Sequence, residues 1–259
     1  YPVKWRDYST LHLDPKATIV ENVRAANAHA TDREWAKLGR PVDRDEWHMT
    51  PQTVNAYYDP TTNEICFPAG ILQAPFFDPA ADDAANYGAI GVVIGHEMTH
   101  GFDDQGSQFD KDGNLRNWWT PQDKANFKAR TQRMIRFFDG IEVLPGLHCN
   151  GALTCGENIA DHGGLKVAYQ AFRNATSSRP LADFGGFTPD QRFFISYGQI
   201  WANNIRPEAL RNQVKTDPHA PARWRVNGAL PQIEAWYKAF GIKKGDKLFV
   251  PKNKRVDIW

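Results

Sequence analysis

The sequence predicts a mainly α (α+β) domain with one small β-hairpin, and three observations carry that prediction. Apolar residues recur at three- and four-residue steps in several long windows, the spacing of a helix with one buried face. One stretch, residues 57–68, reads as strand, turn and strand. No internal repeat or low-complexity linker divides the 259 residues, so positions 1–259 are read as one sizeable domain or two closely packed subdomains.

In chain order, Ile19, Val23, Ala26 and Ala30 place a first helix over about residues 15–38. Tyr57 and Tyr58, the turn Asp59-Pro60-Thr61-Thr62-Asn63, and Glu64-Ile65-Cys66-Phe67-Pro68 form the hairpin. A helix is expected from about Asp83 to His100, with Gly101 as its terminating glycine. Phe109-Asp110-Lys111-Asp112-Gly113-Asn114 has the look of a calcium loop, but the acid order is broken and no Glu closes it, so a turn is expected. Further helices are expected near residues 121–138, 156–174, 188–204 and 231–240, and the Pro/Gly-rich patch from Arg179 to Pro189 reads as a surface loop. Phe193, Phe194, Tyr197 and Trp201 recur at helical steps, for which core packing is the default.

The chemistry is concentrated in Val93-Ile94-Gly95-His96-Glu97-Met98-Thr99-His100, a His-Glu-x-x-His motif inside an apolar helical run. Positions four apart share a helix face, so His96 and His100 can offer two imidazoles to one zinc ion with Glu97 beside it. A chance match would occur in roughly one chain in a hundred, so a third ligand is needed to decide. One peptidase class places that ligand as a histidine in His-Glu-x-x-His-x-x-Gly-x-x-His; here Asp103 and Gly106 hold the diagnostic positions, which excludes it. Gly156-Glu157-Asn158-Ile159-Ala160-Asp161 supplies the other solution, a Glu157 ligand with Asp161 one turn later. Acids also suit a helix start for dipole reasons alone. Paired with the histidine motif, the ligand reading takes precedence, and Asp161 and Asp103 are placed to accept the free ring N–H groups of the two histidines.

At this point the chain resembles the neprilysin and endothelin-converting-enzyme family of zinc metallopeptidases. The resemblance rests on Val54-Asn55-Ala56-Tyr57-Tyr58, on His96 through Gly106, on Gly156 through Asp161, on Asp217-Pro218-His219 through Arg225-Val226-Asn227-Gly228, and on the final Trp259. It implies a thermolysin-like gluzincin catalytic domain with a hairpin at the active-site edge. It implies His96, His100 and Glu157 as ligands of one Zn2+ per chain, Glu97 as the base, and Asp161 as the orienting acid. His219 matches the family histidine that stabilises the tetrahedral intermediate, although a lone loop histidine is more often merely solvated. Arg225 matches the arginine that grips a substrate carbonyl, and Asn55-Ala56 the pair that hydrogen-bonds an extended peptide. Val92, Val93, Ile200 and Trp201 match the pocket for the residue after the scissile bond, which implies cleavage on the amino side of large apolar residues.

The roles also follow from chemistry. Amide hydrolysis needs an activated water, a base near it and a donor for the developing oxyanion, and zinc, Glu97 and His219 suit those tasks. The expected partners are therefore peptide substrates. A net charge of +1 with no basic stripe argues against nucleic acid. The sequence holds no run of about 18 apolar residues, the length that would span a membrane. The resemblance covers only the C-terminal, zinc-binding part of the usual polypeptide, so an N-terminal lobe, as a separate chain, is a further expected partner. The rival expectation is a zinc-binding fragment that does not hydrolyse peptides until that lobe joins.

Three cysteines, Cys66, Cys149 and Cys155, leave an odd thiol whichever pair forms, and three free thiols are equally compatible with the spacing. The animal members' C-terminal cysteine is absent from Lys254-Arg255-Val256-Asp257-Ile258-Trp259, which points to a bacterial-type member. By resemblance the compartment is extracytoplasmic, whether periplasmic, secreted or cell-surface.

Overall fold

A computed structural model of the chain describes residues 2–258; the final Trp259, part of the resemblance above, lies outside them. The described chain is mostly helical, with two small antiparallel sheets. Its elements are α1 (Ile19–Trp35), β1 (Tyr57–Asp59), β2 (Glu64–Cys66), α2 (Asp83–Asn86), α3 (Val92–His100), α4 (Pro121–Asp139), β3 (Glu142–Leu144), β4 (Leu147–His148), α5 (Cys155–Thr176), α6 (Pro189–Ile200), α7 (Pro207–Thr216), α8 (Ala222–Ala229) and α9 (Glu234–Phe240).

The expected helices are present, with shifted ends that have local causes. The first spans 19–35 rather than 15–38, because Thr18 caps it through a box with Glu21. The helix expected over 188–204 stops at Ile200, and the one expected over 231–240 begins at Glu234, after a short 3-10 turn containing Pro231. Two helices, α7 and α8, were not anticipated. The run from Asp83 to His100 is helical throughout, but a π-turn at Tyr87–Gly91 divides it. Gly101 does end α3, in right-handed rather than left-handed geometry. What it provides is room, since a Cβ there would lie 3.2 Å from the Tyr58 hydroxyl. The expected hairpin forms and pairs Tyr57 with Cys66 and Asp59 with Glu64, so that Asp59, expected in the turn, ends the first strand. Residues 110–114 form a turn closed on Asp110, and the 179–189 stretch is an exposed loop.

Two hydrophobic clusters flank the helix pair α3 and α5. One gathers Val92, Leu165, Phe172, Phe193, Phe194, Tyr197 and Trp236, and it absorbs the aromatic stripe of α6. The other gathers Met134 and Phe138 of α4, Cys149, Cys155 and Ile159, and the late residues Val256 and Ile258. Cys149 and Cys155 are buried here as free thiols, pushed up to about 11 and about 12 by that burial, and Cys66 is free as well. Between the clusters α3 and α5 meet backbone to backbone. A Cβ on Gly95 would lie 2.9 Å from the Gly164 Cα, one on Gly164 would lie 2.7 Å from the His96 nitrogen, and one on Gly163 would lie 2.5 Å from Thr99. Glycines at this crossing let the histidines of one helix approach the carboxylates of the other.

Candidate metal centre and cleft

His96 and His100 project from α3 toward the first turns of α5, where Glu157 faces them. The two Nε2 atoms stand 3.0 Å apart, and Glu157 lies 3.3 Å from His96 Nε2 and 3.7 Å from His100 Nε2. Within the described residues this trio is the one cluster of side chains spaced to hold a metal ion. The opposite ring nitrogens are both committed to acids. His96 Nδ1 lies 2.9 Å from Asp161 Oδ1, and His100 Nδ1 lies 2.7 Å from Asp103 Oδ2. With the ring protons held there, each neutral imidazole turns a lone pair inward.

Two inward lone pairs and a carboxylate repel one another unless a cation sits among them. Glu157 Oε2 shows the same demand, being buried and in no hydrogen bond although two imidazoles stand 3.3 Å away. A set of two imidazole nitrogens and one carboxylate fits zinc, the metal expected from the sequence. In the metal-free protein a proton answers part of this demand. Burial alone would depress the His96 imidazole, but the hydrogen bond to Asp161 and the Glu157 carboxylate raise it to about 9. Glu157 moves the other way, for burial would raise it, yet His96, His100 and Arg225 hold it at about 2.

Asp161 serves two partners at once. Its Oδ1 accepts from Arg225 Nη2 at 2.6 Å as well as from His96, and its Oδ2 accepts from Arg225 Nε at 2.7 Å. The carboxyl is held well below the usual range against the opposing effect of burial, by Arg225 first and His96 next. Arg225, expected from the resemblance to face a substrate, thus spends this edge of its guanidinium on Asp161. Its carbonyl accepts from the Tyr197 hydroxyl at 3.0 Å. Asp103 also organises the turn after α3, where its Oδ1 accepts from the amides of Gln105 and Gly106.

A cleft of about 480 Å³ opens over this centre. Glu97, Asn55, Ala56, Val92, Val93, Ile200, Trp201, His219 and Arg225, all singled out in the sequence, line it. Glu97 is buried, and burial raises its carboxyl above the usual value although the histidines pull it back. His219 Nε2 stands 3.3 Å from Glu157, while its Nδ1 lies 2.7 Å from Asp217. Sequence reasoning passed over Asp217 as an orienting partner. The Asp-Pro-His run was a usable signal, because an Asp two residues upstream commonly folds back on a following amide, as Asp217 does on His219. Asn55 and Ala56 lead into β1, whose only partner strand among the described residues is β2.

The family model for peptidase family M13 matches residues 55–256. An endothelin-converting enzyme homolog of Locusta migratoria is 42% identical over 98% of this chain and 35% of its own length. Human endothelin-converting enzyme 1 is 44% identical over 86% of this chain and 29% of its own. Among solved structures, inhibitor-bound zinc metalloprotease Zmp1 of Mycobacterium tuberculosis superposes on the whole chain and 40% of that protein with a TM-score of 0.95 at 49% identity. PepO of Lactobacillus rhamnosis superposes at 0.86 and 38% identity, again over the whole chain and 40% of that protein. The chain therefore spans about a third of the length of the curated relatives it matches.

Proposed function

The chain belongs to peptidase family M13, and on that premise we propose that residues 1–259 are the zinc-binding catalytic portion of an endopeptidase. The observation that carries this reading is the convergence of His96, His100 and Glu157 beside Glu97 in one cleft. Zinc, one ion per chain held by those three residues, would polarise the scissile carbonyl and lower the pKa of a water toward about 7.

The remaining work falls to the protein's side chains. Glu97, with its carboxyl raised by burial, is suited to take the water's proton and pass it to the leaving nitrogen. His219, fixed by Asp217, is suited to donate to the carbonyl oxygen as charge develops there, a contribution typically worth about 3 kcal/mol. Asp161 and Asp103 hold the two ligand imidazoles in the tautomer that faces the ion. Asn55 and Ala56, just ahead of β1, are suited to add an extended peptide to the strand edge. Val92, Val93, Ile200 and Trp201 form an apolar wall that favours a large apolar residue after the scissile bond. Arg225 has its Nη1 atom left to meet a substrate carbonyl.

The second reading follows from the chain's share of its relatives. It makes this portion a zinc-binding unit that hydrolyses nothing until the N-terminal lobe is present. No described helix is long and apolar enough to cross a membrane, and an extracytoplasmic compartment is carried over from the family resemblance alone. The deciding assay is hydrolysis of a quenched fluorescent peptide with Phe or Leu after the scissile bond, comparing the chain with Glu97→Gln at matched zinc content. Activity lost in the variant supports the first reading. Equal activity in both would remove Glu97 from the mechanism, and silence in both at full zinc loading favours the second.

A further inference from the structure

We propose that Trp201 is a positioning residue for the metal ligand His96, acting through Arg225 and Asp161. The inference rests on the metal-centre reading above and adds to it a role for a residue so far placed only in the cleft wall.

The guanidinium carbon of Arg225 lies 3.8 Å from the centre of the Trp201 ring, so the indole covers one face of the cation. Arg225 is itself buried, and water does not compete for that face. Its fork is fixed in plane by Asp161 and its carbonyl by Tyr197. Its Nη2 also stands 3.4 Å from His96 Nδ1 and 3.7 Å from Glu157, yet none of these edge contacts fixes tilt about the fork, and a ring stacked on the face does.

The tilt matters because Asp161 Oδ1 is shared. The same oxygen accepts from Arg225 Nη2 and faces His96 Nδ1, so a guanidinium that rocks draws the carboxylate off the imidazole. The indole Nε1 is buried and makes no well-formed hydrogen bond, although it interacts with the Tyr197 hydroxyl. A poorly paired donor costs stability that a Phe or Leu would not incur. The contribution specific to tryptophan at this place is its π face, the strongest among side chains for a cation.

A wall residue and a positioning residue differ in what they move. Loss of a wall changes substrate KM, whereas loss of a positioning residue changes how tightly the ligands hold metal with no substrate present. The test is chelator competition for zinc with this chain, its Trp201→Leu and Trp201→Phe variants, and Trp201→Leu in an Asp161→Asn background. Trp201→Leu is expected to weaken zinc binding about 10-fold, the lower end for loss of support behind a metal ligand. Trp201→Phe, which keeps a ring face, is expected to stay within about 3-fold. In the Asp161→Asn background the Leu change is expected to add nothing further.

Wild-type affinity in Trp201→Leu overturns the proposal, as does a Phe variant as weak as Leu, or an undiminished Leu effect without Asp161. A wild-type chain that binds no zinc defeats the metal-centre reading itself, and the proposal with it. Circular dichroism of the metal-free variants verifies folding, and Trp201→Met, flexible and ringless, replaces Leu if that variant does not fold.

Discussion

Helix α1 carries a complete Thr18–Glu21 capping box and buries none of its residues, whereas α3 has no side-chain cap and buries Val92, Gly95, His96, Glu97 and Thr99. Ile19, Val20, Val23 and Trp35, the large apolar residues of α1, are all largely exposed. One helix is specified by its own first turn; the other stands because α5 lies against it at glycine distance. In this pair the local signal is complete on the exposed helix, whereas the metal face depends on contacts between residues more than 60 positions apart, such as His96 with Asp161.

The difference can be broken most forcefully at Asp161. Asp161→Asn takes from the buried Arg225 guanidinium the nearer of its two carboxylates, leaving Glu157 at 3.7 Å, and removal of one member of a buried pair costs about 3–5 kcal/mol. Urea denaturation is expected to show that loss, together with zinc binding about 10- to 100-fold weaker. An unchanged midpoint would mean that the pair adds little to the metal face.

Gly164→Ala attacks the same face through packing. A Cβ there must displace the His96 nitrogen and the Val92 carbonyl, each 2.7 Å away, and overpacking of this kind costs about 1–3 kcal/mol. A melting temperature equal to wild type would show that α3 and α5 can separate without penalty.

Acidity provides a graded version. In the metal-free chain His96 is raised from 6.5 to about 9, so its contribution to stability is complete below pH 6.5 and disappears as pH climbs through 9. Glu157, lowered from 4.5 to about 2, contributes above pH 4.5 and loses that contribution as pH falls toward 2. Melting in the presence of a chelator should therefore be highest between about pH 4.5 and 6.5 as far as these groups are concerned. Zinc affinity should rise across pH 6.5–9, because metal must displace the His96 proton. A flat affinity profile over that window would contradict the His96 assignment.

The smallest effect is expected at Thr18→Ala. Loss of the cap should cost α1 at most about 1 kcal/mol, seen as faster hydrogen exchange in its first turn, with zinc affinity untouched. A shift in zinc affinity would mean that α1 communicates with the metal face after all.

The sequence made much of the centre legible because its spacing is chemical. His96, His100, Glu157 and Asp161 sit at one-turn steps that survive any uncertainty about helix ends, and Asp103 follows His100 by three. Less was visible where geometry is set by close approach or by a break in periodicity. The π-turn at 87–91 interrupts the 3.6-residue period without any Pro to announce it. The Gly95, Gly163 and Gly164 crossing looks in sequence like weak helix positions. Helix α7 does carry a local signal, Pro207 at its first position followed by Glu208. The pairing of Arg225 with Asp161, 64 positions apart, is beyond any local window.

The second hydrophobic cluster imposes an order of events. Val256 and Ile258 are members of it, Arg130 binds the Ile258 carbonyl across 128 positions, and Arg133 binds the carbonyls of Asn253 and Arg255. Cys155 and Ile159, on either side of Glu157, belong to the same cluster. During synthesis both histidines and Glu157 leave the ribosome long before residue 258 does. The start of the helix that carries Glu157 must therefore wait, half supported, until about a hundred further residues have been made.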